Sequence, residues 1–143
     1  MPTKVFLKKI GIEQNDACSF CKSNKENLEH LLWECEKAQN FLNLIQRNIN
    51  RQQVIIELKK EQFLLGIPMS YDKNSEIVVQ NFIIILLKLY IYHSKDKQHA
   101  LSIQGFKNLL KFYYHIEKTA ASTRGEIANI NNMLEKFVTF IEE

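Results

Sequence analysis

The chain has 143 residues, 45% of them hydrophobic, and a formal charge of +3 from 19 basic and 16 acidic side chains. This length and apolar content allow one domain with its own core and exclude a disordered chain. Four Gly and two Pro are too few for a many-turned all-β fold, and the thin charge excess permits contact with nucleic acid without predicting it.

In chain order, Pro2 and Thr3 can open a helical turn and Gly11 can end it, with Val5, Phe6 and Ile10 forming an apolar side. No apolar run follows Met1, so a secretory signal is not expected. That predicts an intracellular chain, not secreted, whose three cysteines stay reduced. Residues 15–25 are polar and turn-rich and hold Cys18 and Cys21. A helix is predicted over 26–50 from the spacing of Leu28, Leu31, Leu32, Phe41, Leu42, Leu44 and Ile45, with an interruption near Cys35 and Glu36.

Residues 51–65 carry Val54, Ile55, Ile56 and Leu58 and fit helix or strand, because β-branched residues cluster there. Gly66 and Pro68 mark 66–72 as a loop. A long helix is predicted over 74–95, central in the core because Phe82 to Leu87 is apolar all round. Its most apolar part, 77–92, contains Gln80, Asn81 and Lys88 and falls short of the roughly 20 residues a membrane span needs. A helix over 102–121 would turn Phe106, Leu109, Leu110, Tyr113 and Ile116 inward. A break at 122–125 would precede a last helix over 126–141. The expected fold is mostly α: a small zinc-binding subdomain with the first long helix over 1–50, then a bundle of about four helices over 51–143.

The chemistry is concentrated in Cys18, Cys21, His30 and Cys35, spaced C-x2-C-x8-H-x4-C. Zinc takes four thiolate or imidazole ligands in a tetrahedron, and a tight C-x2-C turn lets two thiolates face one ion. His30 and Cys35 would supply the other two ligands. Five residues of α-helix bring side chains only partly to one face, so a loosened or terminated turn is expected between them. Four protein ligands leave no position for water or substrate, which marks one structural Zn2+ and no catalytic site. Binding would then supply folding energy to a segment with little core of its own. The competing readings are four unrelated residues, with buried Cys acting as small hydrophobes, or a Cys18–Cys21 redox pair, for which no βαβ context exists.

The runs Cys18-Ser-Phe-Cys21 and Glu29-His30-Leu-Leu-Trp-Glu-Cys35, after the leader over 2–12, resemble the zinc-binding region that follows the reverse transcriptase domain in non-LTR (long interspersed) retrotransposon polyproteins. Farther on, Phe63-Leu-Leu-Gly66, residues 81–92 and residues 106–120 resemble the helical tail of the same proteins. The resemblance implies an accessory region without catalysis of its own, contacting RNA or DNA beside an upstream reverse transcriptase region. It also implies that this chain is an isolated C-terminal piece of such an element, and it adds the nucleus to the cytoplasm as an expected location. No Tyr/Phe-x-Asp-Asp polymerase motif occurs in the sequence.

For a nucleic-acid surface the candidates are Lys4, Lys8, Lys9, Lys22 and Lys25, with Lys37 near them and Phe20 as a stacking side chain. Packing against the zinc turn is the preferred role of Phe20 and of Trp33, and the lysines could equally form a solvated face. His93, His99 and His115 have no cysteine or paired carboxylate at ligand spacing and are expected to be surface or hydrogen-bonded residues. Tyr90, Tyr92, Tyr113 and Tyr114 read as core-edge residues with wet hydroxyls. The alternative in a different class is a zinc-stapled scaffold for protein–protein interaction that uses the apolar helix around 81–92. Neither reading involves a membrane or a small-molecule substrate.

Overall fold

The structure, a computed structural model, describes residues 1–51, 57–68, 75–97 and 100–124 together with Phe140 and Glu142. Helix α1 spans Lys4–Lys9. Thr3 caps it in extended conformation, its Oγ1 accepting from the Phe6 N–H at 3.5 Å. Gly11 closes the segment at φ +79°, where a Cβ would be strained. The apolar side expected of this leader faces outward: Phe6 and Ile10 are about half exposed, and α1 buries no residue. Polar contacts hold it instead, with the Val5 N–H donating to Glu26 O at 3.2 Å and the Lys4 N–H to the Glu26 carboxylate at 3.1 Å.

A short π-helical turn, His30–Glu34, leads through an extended Cys35 into α2, Glu36–Arg51. The predicted interruption therefore falls at Cys35. Ala38, Phe41, Leu42, Ile45 and Ile49 form the buried arc of α2. Leu44 and Leu28, expected inside, are exposed. At about 100° per residue Leu44 stands roughly 120° from the centre of that arc. The short α3, Lys60–Leu65, buries Phe63 against Trp33, ring centroids 5.5 Å apart. Of the ambiguous 51–65 segment, Arg51 ends α2 and Lys60–Leu65 are helical, while residues 57–59 have no regular structure; Val54, Ile55 and Ile56 lie outside the described residues.

Helix α4, Ser75–Asp96, is the centre of the packing. Val79, Ile83, Ile84, Leu86, Leu87 and Ile91 are buried, whereas Ile85 is 59% exposed, so the helix is not enclosed on all sides as expected. Its stretch Glu76–Lys95 is long and apolar enough to cross a membrane by length and composition, which corrects the expectation that it was too short. The apolar length is used inside the fold, against α2 and α5 and the π-turn. Two of its polar residues also have internal roles. Asn81 accepts from the Ile67 N–H at 2.7 Å and donates to Ile67 O at 2.9 Å, and Lys88 reaches Leu64 O at 3.2 Å. Both hold the end of α3 against α4, and burial lowers the Lys88 ammonium below its ordinary value.

Helix α5 spans Ile103–Arg124 and buries Phe106, Leu110 and Ala121. It continues through 122–124, where a break was expected, and its threonine hydroxyls are satisfied within the helix: Thr119 Oγ1 donates to His115 O at 2.9 Å, and Thr123 Oγ1 to Ala120 O at 2.7 Å. Ile116, expected inside, is 45% exposed. Of the last predicted helix, 126–141, only Phe140 is described; it is buried in the same core, under the ammonium of Lys107. No sheet occurs among the described residues, and the all-helical class is as expected; a single bridge pairs Ala17 with Lys25.

Three rings join α2, α4 and α5. Phe41 lies 5.4 Å from Tyr90 and 6.3 Å from Phe106, and Tyr90 lies 6.0 Å from Phe106. The Tyr90 hydroxyl is not simply wet: it accepts from the Ser102 N–H at 3.1 Å, while the Tyr92 hydroxyl donates to Pro2 O at 3.1 Å. Gly105 lets α5 approach this hydroxyl, since a Cβ there would run into the Tyr90 ring end. Gly105→Ala should therefore destabilise the chain by about 1–2 kcal/mol, although alanine is favoured over glycine inside an exposed helix by about 1 kcal/mol. Chemical denaturation of the two proteins measures the sign.

Candidate metal centre

The first half of the centre is a tight polar hairpin. Cys18 N–H donates to Asn24 O at 2.7 Å, Lys22 N–H to Cys18 O at 3.0 Å, and Glu26 N–H to Asp16 O at 2.8 Å. These bonds fold the chain back so that Cys18 and Cys21 face one point. Lys22 completes the turn in the left-handed region, φ 61°, the only non-glycine residue there among those described. That conformation disfavours a residue with a Cβ by about 1–2 kcal/mol.

The second half is built by the π-turn. The Cys35 N–H donates to His30 O at 2.8 Å, five residues back. In an α-helix the bond would span four residues, and Cys35 would be carried well past His30. The extra residue in the turn keeps the two side chains nearer one face, so the expected loosened turn is a widened one. Asn27 supports it from below, its Oδ1 accepting from the His30 N–H at 2.7 Å. Gln39 supports it from above, its side chain donating to Trp33 O at 2.7 Å. Leu31 and Leu32 leave the same turn on the core side, fully packed.

The ligand atoms of Cys18, Cys21, His30 and Cys35 all lie within 4.8 Å of one another. Cys18 Sγ and Cys35 Sγ are 3.8 Å apart, and Cys21 Sγ is 3.3 Å from His30 Nε2. A tetrahedral zinc with Zn–S bonds of about 2.3 Å separates two thiolates by roughly 3.8 Å. A disulfide would need about 2.0 Å, and all three cysteines are free. The four side chains are thus positioned to bind one zinc ion, with no ligand position left open.

The thiols differ in readiness. Burial pushes Cys18 up to about 12, against opposing N–H bonds from Cys21 and Phe20, and Cys35 adds to the rise. Burial also opposes ionisation of Cys21. The N–H groups of Ser23 and Asn24 and the His30 ring outweigh it, bringing that thiol down to about 6. Cys21 is therefore the readier of the two to ionise, whereas Cys18 must give up a proton to become a ligand.

Residues 1–41 match the family described as zinc-binding in reverse transcriptase, zf-RVT. All four ligands lie inside the match. No curated protein and no solved structure matches the chain. Residues 42–143 lie beyond the match.

The residues expected to meet nucleic acid are dispersed. Lys4 is half-buried at the start of α1, Lys8 pairs with Asp16 at 3.3 Å, and Lys9 and Lys25 are exposed. Lys22 lines one depression with Phe20 and Lys37. Phe20 is half-buried and packs against both the metal centre and the main core, and Trp33 packs against the main core, the preferred reading for each. His93 and His115 are exposed; His99 lies outside the described residues.

Sequence reasoning missed Glu26 and Lys95. Glu26 is fully buried beside the metal centre, bonded to Ser19 next to Cys18. Its carboxylate accepts from Ser19 N–H at 2.8 Å, Ser19 Oγ at 2.6 Å, Lys4 N–H at 3.1 Å and Lys95 Nζ at 3.0 Å. Lys95, at the end of α4, also donates to Pro2 O at 3.0 Å and stands over the Tyr92 ring. One acid in a polar turn and one lysine 69 residues later leave no periodic signal. Burial alone would raise the Glu26 carboxyl. The bonds from Ser19 and Lys95 and the Ser19 and Lys4 N–H groups outweigh it and hold the carboxyl below its ordinary 4.5.

Two outcomes are expected. Elemental analysis should find one zinc per chain, lost in both Cys35→Ser and His30→Ala, and calorimetry in buffers of different ionisation enthalpy should show about one proton or more released per zinc at pH 7. Glu26→Gln should cost about 3 kcal/mol by leaving Lys95 buried against a neutral amide. Because the Glu26 pKa is depressed on folding, that difference is fully present above pH 4.5 and shrinks as acid protonates the native carboxylate. Denaturation of both proteins at pH 7 and below pH 4 measures it.

Proposed function

We propose that this chain is a non-catalytic accessory region of a retrotransposon reverse transcriptase, held by one structural zinc and binding nucleic acid. The observation that carries the proposal is the closed Cys18, Cys21, His30, Cys35 set inside a segment matching zf-RVT. A set closed by four protein ligands organises chain and does not activate water, so the work falls to the surface the metal orders. Lys22 and Lys25 stand exposed in the hairpin, and Lys37 stands exposed in the first turn of α2. Lysines held at fixed spacing on a metal-ordered turn suit phosphate contact. The polymerase chemistry belongs to an upstream reverse transcriptase region of which this chain is the C-terminal piece, and the free thiols suit an intracellular compartment.

The test is fluorescence anisotropy of the zinc-loaded chain with labelled single-stranded RNA and DNA oligonucleotides at two salt concentrations. Binding should weaken with salt at a slope of about −0.7 per phosphate contacted and should fall at least tenfold once a chelator removes the zinc. Equal affinity of the metal-free and zinc-loaded proteins, or no binding at low salt, would rule the proposal out.

A further inference from the structure

The first long helix and the zinc hairpin enclose a depression of about 520 Å3, walled by Phe20 and Lys22 on one side and by Lys37 and Leu44 on the other, with Phe41 at its floor. Leu101, from the connection before α5, closes one end. No acidic residue lines it. Lys22 and Lys37 are both exposed and have no ion pair among the described residues, unlike Lys8, Lys59 and Lys60, which face carboxylates. The two cations therefore flank an apolar floor with no carboxylate beside them among the described residues.

Lys22 adds an independent observation. It stands at φ 61°, where glycine would be the relaxed choice. The strained turn fixes the direction in which its side chain leaves the hairpin. Backbone strain held at one residue points to a use for that residue.

We infer that this depression holds a single nucleic-acid strand, with Lys22 and Lys37 on successive phosphates and a base laid against the edge of Phe20 and Leu44. The inference rests on the nucleic-acid reading above and locates it. The chemistry fits a single strand: phosphates need cations spaced along a groove, and an unpaired base offers an apolar face to the aromatic and aliphatic wall between them. A duplex would present its bases to each other and leave the Phe20–Leu44 wall unused. Leu44, out of place as a core residue, becomes part of this wall.

The test compares three variants of the full zinc-loaded chain, each first shown to keep one zinc and wild-type helicity. The probes are labelled single-stranded RNA and DNA 20-mers and a DNA duplex. Lys22→Glu with Lys37→Glu should weaken single-strand binding at least tenfold and flatten the salt slope by about 1.4, the share of two phosphates. Lys8→Glu with Lys9→Glu, the same charge change on α1, should weaken it less than threefold. Lys22→Gly relaxes the turn and removes the cation, so it should raise resistance to denaturant while lowering single-strand affinity. Equal loss in the two double variants, full affinity in Lys22→Gly, or tighter binding of duplex than of either single strand would overturn the assignment of the groove while leaving the nucleic-acid reading intact. No binding by the wild type to any of the three probes would remove both.

Discussion

The buried carboxylate of Glu26 is the contact on which the remaining arrangement depends. It gathers the first helix through the Lys4 N–H, the metal hairpin through Ser19 and the central helix through Lys95. The first two of these segments have little apolar surface with which to find the third. Helix α1 buries no side chain, and the metal centre contributes only Cys18, Cys35 and Ala38 to a small cluster of its own. A carboxylate with four donors, one of them a buried ammonium, gives direction to what hydrophobic burial would leave loosely oriented. An apolar pair of similar volume could match its stability, yet would not specify the same mutual placement.

The metal completes that logic locally. Its four ligands come from a hairpin with almost no core and from a turn whose other face is deep in the helical packing, where Leu31 and Leu32 are buried. Zinc therefore joins a segment that cannot fold by burial to one that can. The contrast between Cys21, already inclined to ionise, and Cys18, strongly resistant, suits stepwise assembly. The half-buried Cys21 can meet the ion first, and the buried Cys18 loses its proton only when the ion is there to replace it.

Much of this was legible in the residues. Cysteine and histidine spacing identified the ligands without the fold, because coordination chemistry tolerates few donor sets. Helical periodicity found α2, α4 and α5 to within a few residues, because their buried positions repeat. It failed at Leu28, Leu44 and Ile116, which have the right chemistry on the wrong arc. It also failed at the C-terminal end of α5, where threonine hydroxyls turned back into the helix instead of starting a loop. Glu26 and Lys95 were invisible for a different reason: a lone ion pair across 69 residues has no spacing rule. Asn81 and Lys88 look like flaws in an apolar helix until the carbonyls they serve are seen.

The π-turn has a consequence for how this chain can change. A helix is a phase clock: each residue added or lost between two points rotates everything downstream by about 100°. In the chain from His30 onward, two obligations share that clock. The imidazole must meet Cys35 at the metal, and Phe41, Leu42, Ile45 and Ile49 must meet α4 and α5. One surplus residue, absorbed in the turn that ends with the bond from Cys35 to His30 O, sets both phases at once. Single-residue insertions and deletions between His30 and Cys35 are thus forbidden twice over, whereas the same changes among the polar residues before Asn27 disturb neither phase.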